Sequence, residues 1–343
     1  MNNDIKRKEE HIKICLNKPV EHFISTGFER YRFIYQAISS IDLGEIDLSI
    51  DILGKKLSAP VIISPMTGGT EKSGTINKNL AKAAQKQNIG MGVGSQKVAI
   101  DNPEISFTFQ IRDVAPKILL FGNLGCMHFI NRLNPEDSKK AIRMIGADSL
   151  FLYLNGLQRL IQPEQNIVKG DLITKIKEIC RLASVPVIIK ETGHGISKEV
   201  ALKLKDTGIA GLDIAGAGGT SWVLVEKYRN SSIKSQEVAE TINEICIPTV
   251  DSLLMVTKAA PNLIKIASGG IRTGLDIAKA IALGADCVGI GLPFLKPALH
   301  SWEAVNELLE KYLLELRIAM FAIEAKNIQE LKNTRYLKRV SNK

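Results

Sequence analysis

At 343 residues, with 45% hydrophobic and 24% charged residues, the chain is long enough for one large α/β barrel or two ordinary domains. No apolar run reaches the roughly 20 residues that cross a bilayer, and the charged start MNNDIKRKEEH has no signal-peptide core, so a cytoplasmic protein without a membrane span is expected. A net charge of +9 with dispersed lysines and only 5% aromatic residues argues against nucleic acid and for a small anionic partner. The five cysteines, Cys15, Cys126, Cys180, Cys246 and Cys287, are scattered and never spaced as CxxC, which excludes a disulfide framework and a zinc cluster.

In chain order, residues 1–58 form an N-terminal arm without barrel pattern. Residues 6–16 are predicted as a helix and 27–35 as another helical turn, and 46–50 alternates as a half-buried strand does, with a turn at Gly54. Eight near-continuously apolar runs follow, at 61–64, 90–94, 118–122, 150–154, 187–190, 211–215, 263–267 and 287–290. Strands buried on both faces read this way. Helical patterns lie between most of them, at 76–87, 135–145, 171–182 and 198–207. Eight βα units predict an α/β fold of the (β/α)8 (TIM) barrel type over 59–343, with the N-terminal extension and a C-terminal helix over 302–338 packed outside. An open doubly wound sheet is disfavoured because no GxGxxG turn follows the first strand. Residues 221–243 read as a polar insertion able to form a lid or an oligomer contact.

In such a barrel the reactive groups stand at the C-terminal ends of the strands. The seventh run stops at Ser268-Gly269-Gly270 and the eighth at Gly289-Ile290-Gly291, so two adjacent turns offer bare backbone N–H groups to an anion, with a phosphate the expected ligand. Lys190 ends the fifth run, where its ammonium points into the barrel mouth. It suits a cation beside a flavin ring, a Schiff-base nucleophile, or a lysine that only snorkels outward. The rest of the rim is rich in amides and hydroxyls, and no Ser/His/Asp, Cys/His or metal-ligand spacing is present. A rim that binds phosphate but lacks an acid–base pair points to a bound cofactor.

The segments RKEEH at 7–11, PMTGG at 65–69, GVGSQ at 92–96, NLG at 123–125, VIIKETGHGIS at 187–197, LDIAGAGGTSW at 212–222 and ASGGIRTGLDIAKAIALGAD at 267–286 resemble type 2 isopentenyl-diphosphate delta-isomerase, in order and spacing, from about residue 6 to 335. The resemblance implies an FMN-dependent barrel that converts isopentenyl diphosphate to dimethylallyl diphosphate with the flavin reduced, NADPH being the reductant. It further implies FMN contacts at Ser64, Pro65, Met66, Thr67, Ser95, Asn123, Lys190, Thr220, Gly269, Gly270, Arg272, Gly289, Ile290 and Gly291. By the same matching, Arg7, Lys8, His11, Ser95, Gln96, Lys97, Gln158 and Arg159 face the substrate, Gln158 and Asn155 serve the chemistry, and the protein is a homo-oligomer, from dimer to octamer.

Strand 4 departs from the family pattern His-Leu-Asn-x-x-Gln-Glu. Here it reads Tyr153-Leu154-Asn155-Gly156-Leu157-Gln158-Arg159, followed by Pro163-Glu164-Gln165-Asn166 in place of Pro-Glu-Gly-Asp, and Lys97 replaces an arginine. Arg159 stands where the family's glutamate holds Mg²⁺, and a guanidinium has no acceptor with which to bind a cation. No metal ligand is therefore assigned. Three outcomes stay open: the isomerisation without Mg²⁺, an FMN enzyme acting on another prenyl diphosphate or prenylated anion, and a flavin-binding relative without catalysis.

Overall fold

The computed structural model of the protein describes residues 3–163 and 170–340. Three short strands, β1 (Tyr31–Phe33), β2 (Ile50–Ile52) and β3 (Lys55–Leu57), precede the barrel. The barrel itself runs β4 (Val61–Ile63), β5 (Gly90–Gly92), β6 (Leu120–Gly125), β7 (Ser149–Tyr153), β8 (Val187–Lys190), β9 (Gly211–Asp213), β10 (Ile264–Ser268) and β11 (Cys287–Ile290), and β12 (Leu337–Arg339) follows the C-terminal helices. Each barrel strand pairs in parallel with its sequence neighbours, and β11 returns to β4 to close the ring. The fold is a (β/α)8 barrel.

Alternate residues of the strands have two destinations. Ile62, Phe121, Phe151, Ile188, Ile266 and Cys287 fill the barrel, where Phe121 and Phe151 stack with ring centres 4.3 Å apart. Val61, Ile63, Leu120, Leu150, Leu152, Val187, Ile189 and Val288 face the surrounding helices. Both sets are buried, which is why the sequence shows continuous apolar runs. The β2–β3 hairpin adds Ile52 and Leu57 to the inner cluster and so closes the barrel at the end from which β4 begins. Its turn is made by Leu53 and Gly54 with φ of 53° and 74°, the pair of positive angles that matches strand twist in a two-residue hairpin.

Four predicted elements differ. The strand expected at 46–50 lies at Ile50–Ile52: Ile46 and Leu48 are buried, but the Arg317 guanidinium takes the carbonyls of Leu43 and Ile46. The alternation there reports one buried face, not pairing. The turn of helix expected over 27–35 is a short 3-10 segment, Phe28–Arg30, that leads into β1, which pairs antiparallel with β12. The long C-terminal helix breaks into Trp302–Phe321 and Ile328–Lys332 before β12, with Glu324 at φ 57° and Asn327 capping the second piece. The supposed polar insertion is two helices, Trp222–Arg229 and Ile233–Ile242, capped by Ser221 and Ser232, and the first buries Val223, Leu224, Val225 and Glu226. All five cysteines are free thiols. No helix among the described residues is long and apolar enough to cross a membrane.

The arm crosses the barrel mouth as an added ribbon. Ser221 N–H donates to Val20 at 2.7 Å, His22 N–H to Gly219 at 2.9 Å and Val250 N–H to Thr26 at 3.0 Å. Beneath it the buried rings of His22 and His194 meet edge-on at 5.1 Å. Neither ring nitrogen of His22, nor Nε2 of His194, has a hydrogen-bond partner among the described residues. Burial pushes both imidazoles down, His194 to about 4 with the His22 charge adding to the effect. A folded pKa below the unfolded value of about 6.5 means that this contribution is complete above that pH and is lost as the pH falls toward 4. Between pH 7 and pH 5 the loss from His194 alone is about 2 kcal/mol. The adjacent buried Glu191 carboxyl, raised to about 7 by burial, contributes in the opposite direction over the same interval, so the His194 share is read as a difference. His194→Asn shifts the change in melting temperature between pH 7 and pH 5 toward stabilisation relative to the parent; an identical pH dependence contradicts the assignment.

Candidate active site

The C-terminal ends of the strands open into one cavity of about 500 Å³, roofed by the N-terminal helix (Asn3–Asn17) and by the helices Gly156–Ile161 and Trp222–Arg229. Seven cationic side chains but a single carboxylate, Asp4, line it among the described residues. It has two chemically distinct ends.

One end is built by β8 to β11. Lys190 Nζ donates to Asp213 Oδ2 at 2.7 Å and to Ser268 Oγ at 3.3 Å, and Ser268 Oγ donates to Asp213 Oδ1 at 2.5 Å. Three neighbouring strands are thereby tied across the mouth, and the ammonium is fixed on the cavity wall. After β10, Gly269 and Gly270 have φ of 100° and 72°, and a Cβ on either would strike the Gly216 or Gly218 backbone. Any side chain is excluded there, so main-chain groups form the wall. After β11, Gly291 faces the cavity and the helix Leu292–His300 starts from it; Pro293 has no N–H and Phe294 N–H donates to the Gly291 carbonyl at 2.9 Å, so the turn itself, not the helix end, offers backbone to the cavity. Arg272 adds a cation that pairs with Glu21 of the arm. The wall is completed by Ser64, Pro65, Met66 and Thr67 after β4, by Asn123 from β6 and by Thr220. Asn123 Oδ1 is buried and without a hydrogen-bond partner among the described residues.

The other end belongs to the helical roof. Glu226, fully buried, accepts through Oε1 from Gln158 Nε2 at 2.9 Å and Gln162 Nε2 at 3.0 Å, and through Oε2 from Arg229 Nη1 at 2.6 Å. His11 Nε2 lies 3.1 Å from Oε1 and, with its proton on that nitrogen, donates to it, while its ring meets Trp222 edge-on. Burial would raise the Glu226 carboxyl, but the His11 hydrogen bond and the Arg229 charge outweigh it and hold the group down at about 2. Asn155 Nδ2 donates to Gln158 Oε1 at 3.0 Å, so both ends of the Gln158 amide are fixed. Tyr153 donates its hydroxyl to Ser95 Oγ at 3.3 Å, and Lys8 Nζ donates to the Ser95 carbonyl at 2.8 Å. Burial together with the Arg7 charge lowers Lys8 to about 7.

Of the residues singled out in the sequence, all but one line this cavity. The exception is Gln96: its amide is buried behind β6, where it donates to the Ala141 carbonyl at 2.9 Å and accepts from Asn123 N–H at 3.0 Å. Its side chain supports Asn123 and does not face the substrate space. Glu164, Gln165 and Asn166 lie outside the described residues. Sequence reasoning missed Asp213, Glu226, Asp4, His128 and Arg132. A carboxylate inside the apolar stretch Val223-Leu224-Val225-Glu226 was the available sign for Glu226, and Asp213 ends a barrel strand just as Lys190 does.

These walls are those of a flavin-type barrel. Solved structures with this architecture include a mandelate oxidase variant with (S)-mandelic acid, at a TM-score of 0.69 and 18% identity over 99% of this chain and 98% of that one. A flavocytochrome b2 variant with pyruvate bound has a TM-score of 0.67 and 18% identity over 98% and 80%. The family model described as FMN-dependent dehydrogenase matches residues 24–102 and 158–338. The protein named isopentenyl-diphosphate delta-isomerase in Nostoc sp. is 43% identical over 97% of this chain and 96% of its own length. The protein of that name in Methanocaldococcus jannaschii is 45% identical over 98% and 95%. The chain belongs to the isopentenyl-diphosphate delta-isomerase family, within the FMN-dependent dehydrogenase group.

Removing a buried charge that several donors share leaves those donors unpaired. Glu226→Gln is expected to destabilise the protein by about 1–3 kcal/mol in urea titration, because the buried Arg229 loses one of its two carboxylate contacts, Glu10 at 3.0 Å remaining, and His11, Gln158 and Gln162 lose a charged acceptor. A change below about 1 kcal/mol contradicts the view of Glu226 as the charge that holds the roof together.

Proposed function

We propose that the protein converts isopentenyl diphosphate to dimethylallyl diphosphate with FMN bound across the barrel mouth. The observation that carries this reading is the meeting, in one cavity, of a backbone-lined anion wall with Lys190 and a fixed amide, Gln158, beneath a cationic roof. The residues present suit the cofactor. Gly269, Gly270 and the 289–291 turn leave room for a phosphate against bare N–H groups, and Arg272 adds charge beside them. Asn123 adds a side-chain amide to the same wall. Met66 and Thr67 give a polarisable and a hydroxyl-bearing surface for the ring, and Lys190 gives the cation that a reduced ring's negative charge requires.

When bound and reduced, with NADPH as reductant, FMN supplies the acid–base chemistry of the isomerisation. The double-bond shift adds a proton at C4 of the substrate and removes one from C2, so no net oxidation occurs. The chain's own residues bind and orient. Arg7, Lys8, Lys97 and Arg159 attract the diphosphate, with the Ser95 hydroxyl as a further partner. Gln158, fixed at one end by Asn155 and at the other by Glu226, presents an immobile polar edge to the alkene. His11 and Trp222 close that side against water. The hydrogen bonds that hold Lys190 to Asp213 and Ser268 place it as a fixed cation, which favours the flavin reading over a Schiff base.

The purified protein is expected to show a flavin absorption band and, once reduced anaerobically with NADPH, to form dimethylallyl diphosphate. Gln158→Ala should keep its flavin while turnover falls about 100-fold or more. Lys190→Ala should lose both flavin content and turnover. A colourless, inactive protein, or a Gln158→Ala variant of undiminished turnover, overturns the proposal.

A further inference from the structure

The roof end of the cavity carries charges that the proposed reaction does not by itself explain. Besides Arg7, Lys8, Lys97 and Arg159, its lining holds His128 and Arg132, from the short helix after β6 and the residue that ends it. These groups act on one another: the His128 imidazole is pushed down to about 3 by burial and then by the Arg159, Lys97, Arg7 and Arg132 charges. Burial, Arg132 and Arg7 likewise lower the Arg159 guanidinium. Against this stands Asp4, the only carboxylate among the described lining residues. Its Oδ1 accepts from Arg7 Nη2 at 2.9 Å and its Oδ2 from Lys97 Nζ at 2.8 Å. No group of three or more His, Cys, Asp or Glu side chains among the described residues could hold a metal ion.

Mg²⁺ takes oxygen donors, usually carboxylates together with substrate phosphate and water. The described wall offers one carboxylate, already engaged by two cations, and several guanidinium groups that can only donate and repel. The donor set does not fit the ion that such relatives' metal-binding glutamate implies. It does fit phosphate oxygens, which guanidinium groups bind in bidentate pairs.

We infer that this end of the cavity binds a diphosphate directly and without a divalent cation. Arg132 and Arg159 provide the charge that a metal would otherwise bring, and Asp4 is the counter-ion of Arg7 and Lys97 beside them. The inference rests on the diphosphate reading above and adds a residue, Arg132, that neither the fold nor that reading requires. His128, whose imidazole burial and the neighbouring cations keep neutral, lies beside the same anion as a hydrogen-bonding group.

The test is calorimetric titration of the FMN-loaded protein with inorganic pyrophosphate, in EDTA and in excess Mg²⁺. Binding in EDTA is expected to be at least as tight as in Mg²⁺, where the ion competes for the pyrophosphate. Arg132→Gln should weaken metal-free binding by about 10- to 100-fold, Arg132→Lys should recover part of the loss, and Asp4→Asn should tighten it. Arg159→Glu should weaken it at least 100-fold in EDTA and bring a gain on adding Mg²⁺. Pyrophosphate that binds only with Mg²⁺, or affinity indifferent to Arg132→Gln, overturns the inference. The two readings fail separately: metal-free pyrophosphate binding without isomerisation sinks the proposed reaction alone, whereas isomerisation abolished by EDTA sinks the metal-free site alone.

Discussion

The roof side of the cavity is organised by one carboxylate taken wholly out of water. A bare glutamate at the depth of Glu226 would be neutral, because burial penalises its charge. It stays ionised because His11, Gln158, Gln162 and Arg229 all turn toward it. Those four donors come from three different helical segments, so satisfying one charge fixes the N-terminal helix against the roof and the roof against strand β7. Such an arrangement is costly to break, since His11, Gln158 and Gln162 would lose a buried charged acceptor. The Gln158 amide inherits its orientation from this network and from Asn155.

At the opposite wall the same logic runs with the signs reversed. Lys190 is the buried charge, and Asp213 and Ser268 are its partners. Because the partners come from the two following strands, the cation is held by the barrel itself and not by a loop. The glycine turns beyond it present backbone where side chains cannot fit. A rigid cation and backbone-lined glycine turns on one wall, with a cluster of cations on the other, give the cavity an anion-attracting surface at each end. The excess of positive charge also accounts for part of the chain's formal +9, which would otherwise read as a solvated surface.

The barrel was legible in the sequence because its strands are buried on both faces. Apolar runs such as Val187-Ile188-Ile189 have no soluble alternative, and glycines after the seventh and eighth runs mark the rim. Lys190 was legible for the same reason, as a charge at the end of such a run. Boundaries failed where tertiary partners took over. The stretch from Ile46 to Ile50 alternates, yet Arg317 holds the carbonyls of its first residue and of Leu43, and the strand forms later. The strand pairing of β1 with β12 joins residues about 300 positions apart and leaves no local trace. Gln96 shows the limit of motif matching: it sits between two cavity-lining residues, but its side chain turns into the protein. Glu226, Asp213 and Arg132 escaped because a lone charge in sequence does not declare which buried group it will meet.

The central claim is that a reduced flavin in this barrel moves protons on a prenyl diphosphate. It is tested most directly by running the anaerobic, FMN-loaded protein with isopentenyl diphosphate in D2O and following the carbon-bound hydrogens by NMR. Deuterium entering the new methyl group of dimethylallyl diphosphate, in the reduced protein and not in the oxidised one, is the predicted result. Recovery of unlabelled isopentenyl diphosphate from both forms would contradict it.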